Sequence, residues 1–504
     1  MRSICSYTDC VSGGNAYLAS SHNGVRTMIP TVDYIRILPE LVLSVTGIMI
    51  MLADPVLSLE GNKKILGFIA LAGLVAGLMA TVIQAQTYGD AFSNMVRVDT
   101  FSVFFHFVVL LIALVVVLTS FEYLEVQGIR AGEYYALILF GTVGMMLMSS
   151  AVELVLVFIA LEISSISTYI LAGMRRRIAE SSEASLKYFL LGSFATAFFL
   201  YGVAMIYGTT GTTNVYGIAH FLQAQHSTLA YLAVALMFVG LGFKVAAAPF
   251  HVWTPDVYEG SPAPVVAFMS TGPKAAAFAV LLRVLFAMDA PGWFWMVWVA
   301  AALSMTLGNI GALVQQNVKR LLAYSSIAHA GYLLVAFTAA QQIGISAAIF
   351  YAASYAAMNV GAFAIVSHLA STGEKYVTLD DYAGLGRRSP MLAAILTIFL
   401  LSLIGIPVTG GFFAKFYVFS AALQANLIGL VIIGVINSAI AAYYYLRVII
   451  YMYMRDERGD VPVTGVPPSL AVGLAICLIA TIYLGVLPAR VLGYAIESAQ
   501  DLLK

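Results

Sequence analysis

Apolar runs of bilayer-crossing length follow one another along almost the whole of this 504-residue chain, and that succession leaves few folds open. A hydrocarbon core about 30 Å thick takes roughly 20 apolar residues as a helix. Lipid offers no hydrogen bonds, so the backbone crossing it has to satisfy itself. Only 10% of the residues are charged and 61% are hydrophobic, against about 25% charged in a soluble domain. The mean hydropathy is +0.93. These values imply an all-α polytopic membrane protein. The net charge is zero, so no nucleic-acid partner is indicated. The three cysteines, Cys5, Cys10 and Cys477, have no metal-ligand spacing, and there is no P-loop, no dinucleotide fingerprint and no histidine pair. No cofactor or metal is expected on this chain; if it takes part in redox chemistry, the cofactors are elsewhere.

The apolar runs read as about fourteen helices, at 37–54, 65–86, 99–121, 133–150, 152–173, 185–208, 228–248, 262–288, 293–314, 321–340, 343–369, 390–425, 427–454 and 468–488. The twelfth is too long for one crossing, and the run from Gly405 to Gly411 divides it. Loops after odd-numbered helices hold Lys63, Lys64, Arg130, Arg175, Arg176, Arg177, Lys319, Arg320, Lys375, Arg387, Arg388, Arg455 and Arg458; loops after even-numbered ones hold Arg97. By the positive-inside rule the odd loops face the cytoplasm and both termini lie outside. Residues 1–36 form a polar extension without a signal-peptide core, and Met28, which leads straight into the first run, is expected to be the true start.

The stretch Gly242 to Lys274 carries Lys244, Lys274, His251, Asp256, Glu259 and five prolines between apolar runs. A lysine in a bilayer costs a few kcal/mol or more, so it faces protein or a water-filled cavity. Prolines free backbone groups, which membrane depth tolerates only where they face protein or water. Charge beside interrupted helices is therefore the pattern of an ion path. Lys244 beside Pro249 in helix seven and Lys415 beside the glycines of helix twelve are five helices apart. Two inverted five-helix units with discontinuous helices 7 and 12 are the expectation, as in many transporters. The chain then divides into residues 37–130 (helices 1–3), 131–290 (helices 4–8), 291–456 (helices 9–13) and 457–504 (helix 14 and the C-terminus).

Further charges lie at membrane depth. Glu162 sits ten residues from the loop at Ala172, roughly 15 Å along a helix. A Glu162–Lys244 pair would titrate as one unit. A serine-satisfied carboxyl or a structural ion pair is the alternative. Lys274 and Lys415 are candidate next stations, although Lys415 could snorkel to an interface. His329, in LLAYSSIAHAGYLLV, is either a proton carrier or a hydrogen-bonded packing residue. Glu153 is expected to be structural, His251 and Asp256/Glu259 to hold their loop at least as much as carry protons, Arg283 and Arg447 to be anchors, and Arg175–Arg177 a topology signal. Gly73 and Gly77 suit close helix packing.

The motifs GFKVAAAPFHVWTPDVYEGSPAPVVAFMSTGPKAAAF, KRLLAYSSIAHAGYLLVA and GIPVTGGFFAKFYVF closely resemble the antiporter-like membrane subunits of proton-translocating NADH–quinone oxidoreductase (respiratory complex I), a family related to the Mrp cation/proton antiporters. The resemblance covers Met28 to the C-terminus. The TPDVYEGSPAP wording, a lysine at 415 and the short tail after the last span favour the N branch over the L and M branches. The resemblance implies two half-channels joined by a polar axis of Glu162, Lys244, Lys274 and Lys415, with His329 in the helix-ten motif. It implies a bacterial cytoplasmic (inner) membrane and partners among the M, K, J and A subunits, besides the lipid bilayer and protons. It also implies that NADH, FMN, iron–sulfur clusters and quinone (ubiquinone in one form) belong to other subunits. An Mrp-like sodium/proton antiporter and a non-pumping scaffold are the alternatives.

Overall fold

Three helices in the middle of the molecule are almost wholly enclosed by protein, and other described helices pack around them. The structure is a computed structural model that describes residues 30–57, 64–129, 132–225, 227–288, 293–339, 342–370, 372–457 and 465–503. The N-terminal extension and its expected start at Met28 lie outside these residues.

In chain order the helices are α1 (Thr31–Arg36), α2 (Leu38–Ala53), α3 (Lys64–Gln84), α4 (Thr100–Val126), α5 (Glu133–Ser150), α6 (Leu154–Ala172), α7 (Ala179–Thr210), α8 (Val215–Ala224), α9 (Thr228–Val245) and α10 (Thr254–Gly260). They continue with α11 (Ala263–Met288), α12 (Trp293–Leu313), α13 (Val318–Thr338), α14 (Gln342–Leu369), α15 (Leu385–Arg388), α16 (Pro390–Ile404), α17 (Gly410–Gln424), α18 (Ile428–Met454), α19 (Pro468–Val486) and α20 (Pro488–Leu502). A hairpin of β1 (Gly89–Ala91) and β2 (Val96–Val98) joins α3 to α4, with Asp90 opposite Arg97. Among the described residues eleven helices (α3, α4, α6, α7, α9, α11–α14, α18 and α19) are long and apolar enough to cross a membrane, while α2 and α16 are shorter apolar helices.

The central elements are α11 and α14, which pack on each other; α4 and α5 also pack on α11, and α17, α19 and α20 on α14. With α13 they are wholly or almost wholly buried inside the protein, whereas α7, α18 and α19 leave most of their surface free. A helix apolar all round is either buried or lipid-facing, and this protein uses both kinds. Small residues set the close approaches: a methyl on Gly73 would lie 2.5 Å from Thr46 of α2. Helix α20 is amphipathic, burying Ala495, Ser498, Ala499 and Leu502 at helical spacing.

Two interruptions position the charges. Helix α9 stops at Val245 because Ala246 turns left-handed at φ 58°, and the chain resumes as α10 only at Thr254. Helix α16 stops at Gly405 (φ 95°) and α17 starts at Gly410. Both discontinuities fall where the sequence places them. Pro273 differs: it sits inside α11, which runs on without a break, so the lysine after it belongs to a continuous helix. In the second interruption the start of α17 is pressed against the end of α16. A Cβ on Gly411 would overlap the Ser402 carbonyl oxygen, and backbone cannot yield as a side chain can.

Gly411→Ala is expected to destabilise the detergent-extracted protein by about 1–3 kcal/mol, the usual range for overpacking. Gly429→Ala, where a methyl meets nothing within 4 Å, serves as the matched control. Thermal unfolding of the two variants checks this; equal midpoints would mean that the α16–α17 contact is not tight.

Candidate functional site

Lys244 occupies the last turn of α9 and is 5% exposed. Its Nζ donates to the Tyr169 hydroxyl at 3.4 Å and lies 5.0 Å from that ring's centre and 5.5 Å from that of Tyr188. Aromatic faces stabilise a desolvated ammonium. The Tyr188 ring is itself stacked on Trp253 at 4.5 Å, and the Trp253 indole N–H donates to the Phe243 carbonyl, which locks the box in place. Glu162 lies on α6 two turns before Tyr169, hence on the same face. No ion pair within 4 Å joins Glu162 to Lys244 among the described residues. A buried oxygen of Glu162 has no hydrogen-bond partner. Lys244 is thus caged in tyrosines, and Glu162 shares the helix face of Tyr169 without a direct ion pair to the lysine.

Lys274 follows Pro273 on α11 and is 3% exposed. Its Nζ donates to the Ser326 carbonyl at 3.0 Å and to the Ser326 hydroxyl at 2.5 Å, and the Tyr355 hydroxyl donates to the same serine. A cavity of about 10 Å³ lies between Lys274, Ser326, Tyr355 and His329, about the smallest space that holds one water. His329 of α13 has Nδ1 2.6 Å from the Tyr351 hydroxyl and Nε2 3.4 Å from that of Tyr445, with the rings of Tyr332 and Tyr355 beside it.

Lys415 is 6% exposed, so snorkelling does not describe it. Its Nζ donates to the carbonyls of Leu403 and Ile404 at 3.1 and 2.8 Å and to Ser438 at 2.8 Å, and lies 4.8 Å from the centre of Tyr332. Those carbonyls are the last of α16, left without helical partners by the break at Gly405. The interruption creates the acceptors, and the negative end of the α16 dipole favours the cation. Lys274, Ser326, Tyr355, His329, Tyr332 and Lys415 thus form one contiguous polar and aromatic run. From Lys244 the corresponding run is of rings, Tyr188 on Trp253 and Trp253 against Tyr258, whose buried hydroxyl has no partner.

The remaining charges sort out by contact. Glu153 caps α6 by accepting from the Leu156 amide at 2.7 Å. Asp256 and Glu259 both bind Arg320, and Asp256 also binds Lys187, so these carboxylates hold α10 in place. Arg447 binds the carbonyls of Leu313 and Gln315. Arg283 is no exposed anchor: it is 2% exposed and paired with Asp99 at 3.0 Å. Arg175 is more than a topology signal, because it is 8% exposed and reaches the Gly260 carbonyl and Glu374.

Glu374 was not evident from sequence. It accepts from Lys319 Nζ at 2.6 Å, from the Tyr123 hydroxyl at 2.7 Å and from the amide of Ala263, the first residue of α11, at 2.7 Å. Lys319 also donates to the carbonyls of Glu259 and Ser261. A lone glutamate in a polar loop carries no sequence signal; here Glu374 follows Gly373 in a left-handed conformation (φ 51°) and turns back into the protein.

The chain matches the family described as NADH:quinone oxidoreductase/Mrp antiporter, transmembrane, over residues 151–441. It is 70% identical over 485 residues to the NADH-quinone oxidoreductase subunit N 2 of Koribacter versatilis, covering 94% of this chain and 99% of that one. Its fold is similar to a chain of respiratory complex I from Thermus thermophilus with bound aureothin (TM-score 0.78, 38% identity, 90% of this chain and 98% of that one). It also has the fold of a chain of the Mrp complex from Dietzia sp. (TM-score 0.82, 21% identity, 94% and 98% covered).

Burial by itself would push the Glu374 carboxyl up, but Lys319 and Arg175 beside it, with the Tyr123 hydroxyl, hold it below the ordinary carboxylate range. A depressed folded value means that the stability it contributes is full at neutral pH. That stability is lost as pH falls through the ordinary and then the depressed value. Glu374→Gln is expected to cost about 3–5 kcal/mol, as when one partner of a buried pair is removed. It should also flatten the acid limb of the melting temperature against pH. An unchanged acid limb would place the acid-sensitive group elsewhere.

Proposed function

Because the chain belongs to the NADH:quinone oxidoreductase/Mrp antiporter family of membrane subunits, we propose that it is the N-type subunit of a proton-translocating NADH–quinone oxidoreductase. Electrons pass from NADH to quinone through FMN and iron–sulfur clusters in other subunits, and this chain moves protons. The observation that carries the reading is the contiguous run from Lys274 to Lys415, most of it on α11, α13 and α14, which are buried inside the protein. Soluble cofactor chemistry has no use for such a run, whereas intramembrane ionisable groups mark ion and proton pathways.

Each element has a part. The Tyr169–Tyr188 box keeps Lys244 dry, so its proton affinity depends on the charge of Glu162 across the same helix face. A charge shift arriving from a neighbouring subunit at Glu162 changes how readily Lys244 holds its proton. The released proton passes by way of Lys274, whose ammonium is bound by Ser326. It crosses the one-water cavity to His329 and reaches Lys415 at the α16–α17 break. His329 accepts on one ring nitrogen and releases from the other, a role its two hydroxyl neighbours suit. The interruptions in helices 7 and 12, each beside a buried lysine, support two inverted units over residues 131–290 and 291–456, following the three helices of 37–130. Basic loops after odd-numbered helices support both termini lying outside a bacterial cytoplasmic membrane, with M, K, J and A subunits as neighbours.

The test is Lys244→Met in inverted vesicles, with NADH oxidation and proton uptake recorded together after assembly is verified. Proton uptake is expected to fall by about 10²-fold, the contribution typical of one acid–base group, with the complex intact. Normal uptake per NADH would make this chain a scaffold. Uptake that requires sodium would make it an Mrp-like cation antiporter.

A further inference from the structure

Where α4, α14 and α19 run past one another they part near one end and leave a cavity of about 540 Å³. Side-chain size is the cause. Helix α14 presents Ala353, Ala356 and Ala357 at helical spacing, too small to fill the space up to α4 and α19. The helices close again below it: a methyl on Gly473 of α19 would lie 3.4 Å from both Val115 and Thr119 of α4. Above it lies α20, whose Ser498 hydroxyl donates to the Thr100 carbonyl at 3.2 Å and whose Asp501 accepts from the Thr100 hydroxyl at 2.6 Å.

The cavity follows α4 from Thr100 to Val115, roughly 22 Å along the helix axis. One leaflet with its headgroup region is about 20–22 Å thick. The space is therefore one leaflet deep. Its lining is apolar except at the α20 end, where Tyr88, Thr100, Tyr494, Glu497 and Ser498 gather. A long apolar body with one polar end is the complement of an amphiphile. An apolar void forfeits dispersion contacts and stays dry. Leu111 in its wall is 44% exposed, so the space opens beside the helices, where the surroundings at this depth are acyl chains. Charge narrows the headgroup. No lysine or arginine is among the described residues that line the cavity. Glu497 is exposed at its mouth, and Asp501 follows one turn later on α20. An anionic headgroup would meet these carboxylates without a cation, whereas an ammonium complements them.

We propose that this cavity binds one phospholipid of the ethanolamine class, with an acyl chain held between α4, α14 and α19 and the headgroup ammonium paired with Glu497. The lipid phosphate accepts from the hydroxyls of Tyr88 and Tyr494, the positions that interfacial tyrosines commonly take. The lipid belongs to the leaflet on the side of the β1–β2 hairpin. It completes the packing of α19 and α20 against α14, which small side chains leave unfinished. The site shares no residue with the Lys244–Lys415 run and does not depend on the roles given to the lysines.

The test uses the whole assembled complex, stripped of loosely held lipid, and a phosphatidylethanolamine carrying a diazirine in one acyl chain as the probe. After illumination, labelled peptides are expected from α4 between Phe104 and Val115 and from α19. Excess unlabelled phosphatidylethanolamine should suppress them, and phosphatidylglycerol should not. Ala357→Leu, which fills the cavity from α14, should abolish the labelling. Leu111→Trp, at the exposed position on α4, is a second filling variant if the first does not assemble. Glu497→Gln should lower the labelling by about threefold, the effect of losing an exposed ion pair, and remove the preference over phosphatidylglycerol. Labelling that survives the filling variants overturns the site, as does its absence from these helices because a neighbouring subunit covers them. Equal competition by phosphatidylglycerol in the parent overturns the ammonium assignment. Suppression by a long-chain ubiquinone but not by phosphatidylethanolamine would give the cavity to a quinone tail and overturn the phospholipid.

Discussion

A charge inside a membrane protein has to find its partner within the protein, and nearly every unusual feature of this chain answers that demand. Lipid supplies neither hydrogen bonds nor counterions, so each buried cation here meets an acceptor or a π-face made by the fold. Lys415 uses the two carbonyls released by the end of α16. Lys274 uses one serine, backbone and side chain together. Lys244 uses aromatic rings. Carbonyls and rings solvate an ammonium without fixing it as a carboxylate would. Full ion pairs occur instead at the ends of the helices, where Glu374 with Lys319, and Arg283 with Asp99, hold elements together.

The fold was legible where it rests on length and apolarity. Runs of some 20 apolar residues specify helices because nothing else satisfies a backbone in lipid, and the interruption between Gly405 and Gly411 was readable because clustered glycines with a proline disfavour a continuous helix. Pro273 was misleading for a related reason. A proline stops a helix in water, but in a packed interior the freed carbonyl finds other company and α11 continues.

The site was legible in its members and less so in its bonds. Lysines, a glutamate and a histidine at membrane depth stand out by the cost of placing them there. Their partners do not, because Ser326, Tyr169 and the carbonyls of α16 are ordinary residues until tertiary structure brings them to the charge. Glu374, Arg175 and Lys319 lie in loops and at helix ends, where charge is common, so their burial leaves no mark in the pattern.

The cluster around Glu374 also limits how the molecule can move. It ties Arg175, Gly260, Ser261 and Ala263, from the chain before residue 290, to Lys319 and Glu374 from the chain after it, and the binding of Arg320 to Asp256 and Glu259 adds to this. Many transporters open alternately to either side by rocking one half against the other. Here such rocking would tear several charge-assisted contacts at once. These contacts join the two parts of the chain into a welded frame at this face, an arrangement that favours movement of side chains and water over movement of the backbone.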